Sequence, residues 1–309
     1  VIEASGSKQM EYLSSLDYEV IDSAIAEQIG VDPVTGKPVF KPGTGIVQKN
    51  LLFDRVGNLK SEDQEYTVIL LTDAALEAER TKLKPYTRGQ DTEGTERLAS
   101  LMVMKDLVFK GKYAFADLPA VLVSEDGVQV PIDKGAIQES YQTSNGIVYI
   151  MNRMDVPLSN KIRDVRQEGE NPVGFSRNDK SGNIKYRQRR NPLTQQLFND
   201  IYIFNHKIPL FHARYRVKDI YSLKYKVYWV APNDVQTVTF NQRFAISYPT
   251  STEFDEIKVN LDNFDEVYVG EYEFSSFGIY NAFVIAADNG GDGSNSISLD
   301  YFRLEPQLP

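Results

Sequence analysis

The chain of 309 residues contains no cysteine. That absence removes disulfides, thiolate nucleophiles, cysteine-bound zinc and iron–sulfur clusters together. Only two histidines are present, His206 and His212, so neither a multi-histidine metal centre nor a histidine relay is expected. No apolar run approaches the length of a membrane span, and no signal-peptide hydrophobic segment stands at the start. A Gly-x-Ser-x-Gly elbow, a phosphate-binding loop and a dinucleotide fingerprint are all missing. The chain opens on Val1-Ile2-Glu3 rather than methionine. It reads as a trimmed or mature fragment, with any export signal or lipid anchor upstream.

What is present is ordinary globular material. Hydrophobic residues make up 41% and charged residues 25%, enough for real cores, and the length favours two domains. A net charge of −9 and a pI near 5.0 disfavour nonspecific attraction to nucleic acid or an anionic membrane.

The periodicity changes character along the chain. From Met10 to Ile29 apolar residues recur at helical spacing, with Gly30 as a stop. Residues 31–45, rich in glycine and proline, read as loop. Leu51–Val56 and Thr67–Leu71 look like strands. Thr72 or Asp73 is placed to cap a helix over 74–83, and 95–108 is a second helix. Val121–Val123 and Val128–Val130 flank Asp126-Gly127, a hairpin signal. Beyond Pro157 the segment 160–191 is polar and basic, either linker or sandwich. Seven short strands then follow from Leu210 to Leu304 without long helical patterns, which predicts an all-β sandwich. The boundary is placed near 158–164, giving domains 1–160 and 161–309.

Three stretches of the first half stand in a telling order: Thr67-Val68-Ile69-Leu70-Leu71-Thr72-Asp73-Ala74-Ala75-Leu76, then Val108-Phe109-Lys110-Gly111-Lys112-Tyr113-Ala114-Phe115-Ala116-Asp117-Leu118, then Ser144 to Pro157. They resemble the two boxes and central segment of the fasciclin (FAS1) domain, an adhesion module of α+β fold. The match departs at Asp106-Leu107, where the family commonly has Tyr-His, and at Tyr149, where it often has histidine. Arg88-Gly89-Gln90-Asp91 is not an Arg-Gly-Asp tripeptide, so integrin binding is not inferred.

The closing run Glu266–Phe274, Tyr280–Ile285 and Ile297-Ser298-Leu299-Asp300-Tyr301-Phe302-Arg303-Leu304 is similar to the last strands of a galactose-binding-like jelly roll of the carbohydrate-binding-module kind. A FAS1-like domain followed by such a sandwich resembles surface lipoproteins of Bacteroides-type bacteria encoded near glycan-uptake systems. The resemblance implies a non-enzymatic binding or adhesion protein at the cell surface or outer membrane. Its partner would be glycan, or in the alternative other outer-membrane proteins held by a structural scaffold.

Candidate site residues follow. Tyr221, Tyr225 and Trp229 sit in one strand-rich stretch and could stack on a pyranose. The two-residue period sends Tyr225 and Trp229 to one face and Tyr228 to the other, so one set is core, and Trp229 reads first as structural. Asp288 and Asp292, in an Asn/Gly-rich loop, are the candidate calcium ligands, the competing reading being a plain turn. Lys185–Arg190 mixes basic and aromatic residues; on an acidic chain it reads as a solvated loop or a site for an acidic partner rather than nucleic acid. Paired carboxylates such as Asp262 with Asp265, or Asp255 with Glu256, would serve glycoside hydrolysis only by facing one bond at a set separation, which sequence spacing does not give; acidic residues in loops are ordinarily solvated. His206 and His212 read as hydrogen-bonded structural residues.

Overall fold

The computed structural model describes residues 7–59, 61–288 and 295–309. The chain divides into two compact units, Val1–Lys161 and Ile162–Pro309.

In the first unit, helix α1 (Lys8–Ser15) stops far short of Ile29. Strand β1 (Asp17–Ile21) follows, then β2 (Gln28–Val31), β3 (Pro38–Phe40) and β4 (Ile46–Asn50), with β1 pairing β4 and β2 pairing β3. The expected long helix is therefore corrected to a β-ribbon. Val20, Ile21, Ile25 and Ile29 match the helical spacing, yet branched side chains lose rotamer freedom in a helix and fit a pleated ribbon better. Gly45 permits the tight return: its φ is +68°, and an added Cβ would sit 2.5 Å from Ala26.

The second correction concerns Leu51–Val56, which forms helix α2 rather than a strand. Asn50 caps it, its side chain accepting from the Leu52 amide at 3.0 Å. A cap of that kind outweighs the β-preference of a short apolar run.

Strand β5 (Tyr66–Leu71) is buried throughout. Helices α3 (Asp73–Leu83) and α4 (Thr92–Met104) follow, the first with no side-chain bond from Thr72 to its free amides. Then come β6 (Val108–Lys110), the hairpin of β7 (Val121–Val123) and β8 (Gln129–Pro131), β9 (Ile137–Thr143), β10 (Gly146–Met151) and the short helix α5 (Leu158–Lys161). The central sheet has the order β6-β5-β10-β9, with β5 and β10 parallel. Because β6 covers only the Tyr66–Val68 part of β5, the groups beyond it need another partner. Gln9 supplies it, accepting from the Leu71 amide at 2.9 Å and donating to the Ile69 carbonyl at 3.3 Å. Under the sheet, the buried Asp106 receives Lys105 and Lys161.

The second unit begins with β11 (Val165–Glu168), β12 (Gly174–Phe175), β13 (Ile184–Arg190) and β14 (Leu197–Ile203). The polar segment 160–191 therefore contributes strands to this unit, and the basic run Lys185–Arg190 is a strand rather than a loop. Strands β15 (His212–Ile220), β16 (Lys224–Val230), β17 (Phe240–Ile246), β18 (Glu256–Val259), β19 (Val267–Glu273), β20 (Gly278–Ala286), β21 (Ile297–Leu299) and β22 (Tyr301–Pro306) complete it.

Two sheets face one another, β11-β22-β16-β19 and β12-β15-β20-β17-β18, and β13-β14-β21 forms a third. The result is a β-sandwich. Rings fill the space between the main sheets: Phe302 meets Phe244 at 5.0 Å and Tyr215 at 5.5 Å, and Phe274 meets Tyr280 at 4.6 Å. These are the edge-to-face geometries that ring quadrupoles favour.

Candidate functional site

Strand β16 sorts its aromatic residues between two environments. Tyr225, Val227 and Trp229 point inward: Tyr225 is 0% and Trp229 1% exposed. Tyr225 packs edge-on against Phe274 at 5.4 Å, and its hydroxyl accepts from the Tyr221 amide at 3.2 Å. Burial pushes that phenol well above its ordinary pKa. Tyr221 is buried as well, beside Phe277. The assignment of Tyr221, Tyr225 and Trp229 to a ligand surface is thereby corrected. All three are buried, and a pyranose cannot reach them.

The opposite set of the same strand lies outside. Register places Tyr228 across from Tyr268 of β19 on one side and Arg303 of β22 on the other, with Arg166 of β11 opposite Arg303. One cross-strand row therefore reads Tyr268, Tyr228, Arg303, Arg166. The two tyrosine rings are 5.6 Å apart at 60°, and Tyr268 is 51% exposed. The Arg303 guanidinium lies 4.6 Å from the Tyr228 ring centre, and that of Arg166 lies 3.5 Å from the ring of Tyr301.

Tyr268 owes its outward aim to a bulge. Alternation would place Tyr268, Gly270 and Tyr272 on one face, yet Tyr272 turns inward against Phe274 at 4.7 Å. The register shifts between Val227 and Tyr228, so β19 carries one extra residue there. Gly270 sits at the shift with φ +150°, where a Cβ would come within 2.9 Å of the Phe254 ring. Gly270→Ala is expected to cost about 1–2 kcal/mol and to weaken any ligand contact made through Tyr268. Thermal unfolding beside a binding titration checks both halves.

Arg303 is held rigidly. Its Nε and Nη2 donate to the two Glu266 oxygens at 2.8 and 2.7 Å, and Nη1 donates to Asp164 at 2.6 Å and Glu305 at 3.1 Å. These bonds hold the Glu266 carboxyl below its ordinary range and raise the guanidinium further above its own. A fork fixed this way presents oriented polar groups beside an aromatic surface. Such an arrangement can stack on the C–H face of a sugar while bonding its hydroxyls.

Asp300, just before β22, is the other perturbed group. It is buried, its Oδ1 has no hydrogen-bond partner, and the nearest cation is Arg166 at 3.8 Å. Burial first, then the charges of Glu168, Asp200 and Glu170, push its pKa up to about 7 against the opposing pull of Arg166. Since the folded state retains a proton that the unfolded chain releases near pH 4, stability falls as pH rises from about 4 through about 7. Asp300→Asn is expected to remove that loss and raise stability above pH 7 by about 1–2 kcal/mol. Urea titrations at pH 5 and pH 8 measure it; an unchanged pH dependence contradicts the assignment.

The other expectations resolve individually. Asp288 accepts from the Asn241 amide at 2.7 Å and side chain at 2.8 Å, so its oxygens serve a structural role; Asp292 lies outside the described residues. Among the described residues no group of three or more His, Asp or Glu converges to hold a metal ion. In the basic strand, Arg187 and Arg189 bond Asp200, and Arg189 also bonds Asp234, so two of the four cations of the run are paired within the fold. His206 is buried against Phe211 and its Nδ1 accepts from the Ile208 amide at 3.2 Å; His212 meets Phe283 edge-on at 5.4 Å. Sequence reasoning missed Tyr268, Arg303, Arg166 and Glu266. A glycine inside a strand pattern marks a bulge, so Gly270 was the available signal for Tyr268.

No family model matches the chain, and no curated protein does. Among solved structures the chain is similar to the CBM36-1 domain of a multidomain xylanase from the hindgut metagenome of Trinervitermes trinervoides, at 10% identity and TM-score 0.33, covering 47% of this chain and 99% of that one. It is also similar to CsCBM6-3 from Clostridium stercorarium in complex with cellobiose, at 12% identity and TM-score 0.31, covering 46% and 94%. A Podospora anserina GH26-CBM35 β-(1,4)-mannanase matches at 10% identity and TM-score 0.32, covering 48% of this chain but only 28% of that one.

Proposed function

We propose that the second unit binds a saccharide chain on the outer face of its four-stranded sheet, and that the protein is a non-enzymatic, cell-surface binding protein. The observation that carries this reading is the row of Tyr268, Tyr228 and Arg303: an exposed aromatic surface with a charged fork locked beside it. Stacking would come from the tyrosines, and hydroxyl contacts from Arg303 and Glu266. The first unit, FAS1-like by its boxes, would act as spacer or protein contact, and an anchor preceding this chain would hold the whole at the outer membrane. A glycan array probed with the full chain tests the ligand class. Binding to at least one saccharide is expected; none across the array contradicts it.

A second reading, a scaffold for other outer-membrane proteins, is favoured by a separate observation. In the β1–β4 segment of the first unit Ile21, Ile25, Ile29, Val31, Val34 and Ile46 are all exposed, and exposed apolar side chains are what protein partners cover. Under this reading Ile25→Asp with Val34→Asp abolishes co-purification of partners from native membranes and leaves saccharide binding untouched.

A further inference from the structure

We propose that the outer side of the five-stranded sheet is a second binding surface, specific for anionic glycan chains bearing carboxylate or sulfate groups. It rests on the glycan reading above for the ligand class, but on none of the same residues.

Strand β15 alternates cleanly. Ala213, Tyr215 and Val217 are buried, while Arg214, Arg216 and Lys218 are exposed. At about 3.3–3.4 Å per residue, successive cations stand about 6.7 Å apart in a line. None of the three has an ion pair or a side-chain hydrogen bond among the described residues. In the same unit Arg166, Arg177, Arg187, Arg189 and Arg303 each pair with a carboxylate. Three adjacent like charges repel one another, and among the described residues no carboxylate pairs with any of them. Register puts Phe283 and Gly174 beside Arg214 and Asn281 beside Arg216; Glu256 of β18, an acid on this face, stands opposite Arg243 and three strands from β15. The Arg243 guanidinium is already held by the carbonyls of Ser251 and Pro249.

Phe283, Ile285 and Ala245, between the cations and Arg243, are themselves buried, so the groups this part of the sheet offers a ligand are the exposed cations of β15. Gly174 leaves the Arg214 guanidinium room, since a Cβ there would be 3.3 Å from its Nη2. Guanidinium forks match carboxylate and sulfate oxygens in two-point contacts. On a chain of net charge −9, a local cationic line is also what would capture an acidic chain against the overall repulsion.

The experiment titrates the full chain with polygalacturonate, dextran sulfate, a neutral glucan and poly-glutamate, each at low and high salt. Its variants are the triple Arg214→Gln/Arg216→Gln/Lys218→Gln and, separately, Tyr268→Ala. Polygalacturonate or dextran sulfate is expected to bind, the responding arm naming the anion. High salt should weaken that binding at least tenfold, and the triple variant about a hundredfold, roughly tenfold per arginine. Tyr268→Ala should leave it unchanged. Indifference of both polyanions to the triple variant, equal binding of poly-glutamate, or loss of polyanion binding in Tyr268→Ala would overturn the proposal. Neutral-glucan binding reports on the tyrosine face alone, so failure there is distinguishable from failure here.

Discussion

Trp229→Ala is expected to destabilise the second unit by about 3–5 kcal/mol, the cost of emptying a large buried aromatic site that relaxes only partly. The side chain is almost fully buried in the middle strand of its sheet, between Phe302 on one neighbouring strand and Val267 on the other. An indole lost there leaves a cavity flanked by residues from three strands. The loss should appear as a drop in the denaturation midpoint at constant slope. At temperatures where the variant remains folded, its saccharide affinity should match the parent's, because Trp229 faces away from the proposed surface. A large affinity loss in fully folded Trp229→Ala would return this residue to the ligand site.

The second large effect is the mirror image. Tyr228→Ala combined with Tyr268→Ala is expected to leave stability within about 1 kcal/mol, as surface changes away from cores usually do. Saccharide affinity should fall about thirtyfold to a thousandfold, the range of about 2–4 kcal/mol that follows truncation of aromatic anchors. Tyr268→Phe should retain most of the affinity if stacking dominates, and lose much of it if the hydroxyl carries the contact. Titration calorimetry on both variants, with thermal unfolding alongside, separates recognition from folding. Wild-type affinity in the double variant would place recognition elsewhere.

Much of this arrangement was legible in the chain. The alternation of Tyr225, Val227 and Trp229 against Lys226 and Tyr228 already implied two faces with different fates. Which face is core depends on the opposing sheet, and that sheet is assembled from strands far away in sequence. Phe244 and Tyr215 of the opposing sheet meet Phe302, the cross-strand neighbour of Trp229, a long-range fact that no local pattern encodes. Gly270 is the local residue whose meaning was missed: a plain alternation of β19 puts Tyr268 and Tyr272 together, whereas the bulge parts them.

The first unit taught a different lesson. Its helical spacing from Met10 to Ile29 was genuine, but spacing alone does not outweigh the branched residues and glycines that build a ribbon. Asn50 reversed the reading of Leu51–Val56, because one cap decides a short segment. In the basic stretch the charges were visible but their partners were not; Asp200 and Asp234 reach Arg187 and Arg189 only through pairing of β13 with β14 and a loop beyond. Arg214, Arg216 and Lys218 are among the described cations that no carboxylate pairs with.

The most direct test is fluorine NMR of the full chain labelled with 3-fluorotyrosine, titrated with whichever saccharide the array selects. Resonances of Tyr228 and Tyr268 should move with saturation while those of the buried Tyr215 and Tyr225 stay fixed. Movement of the buried pair without the exposed pair, or no movement at saturating saccharide, would contradict recognition on the outer sheet face.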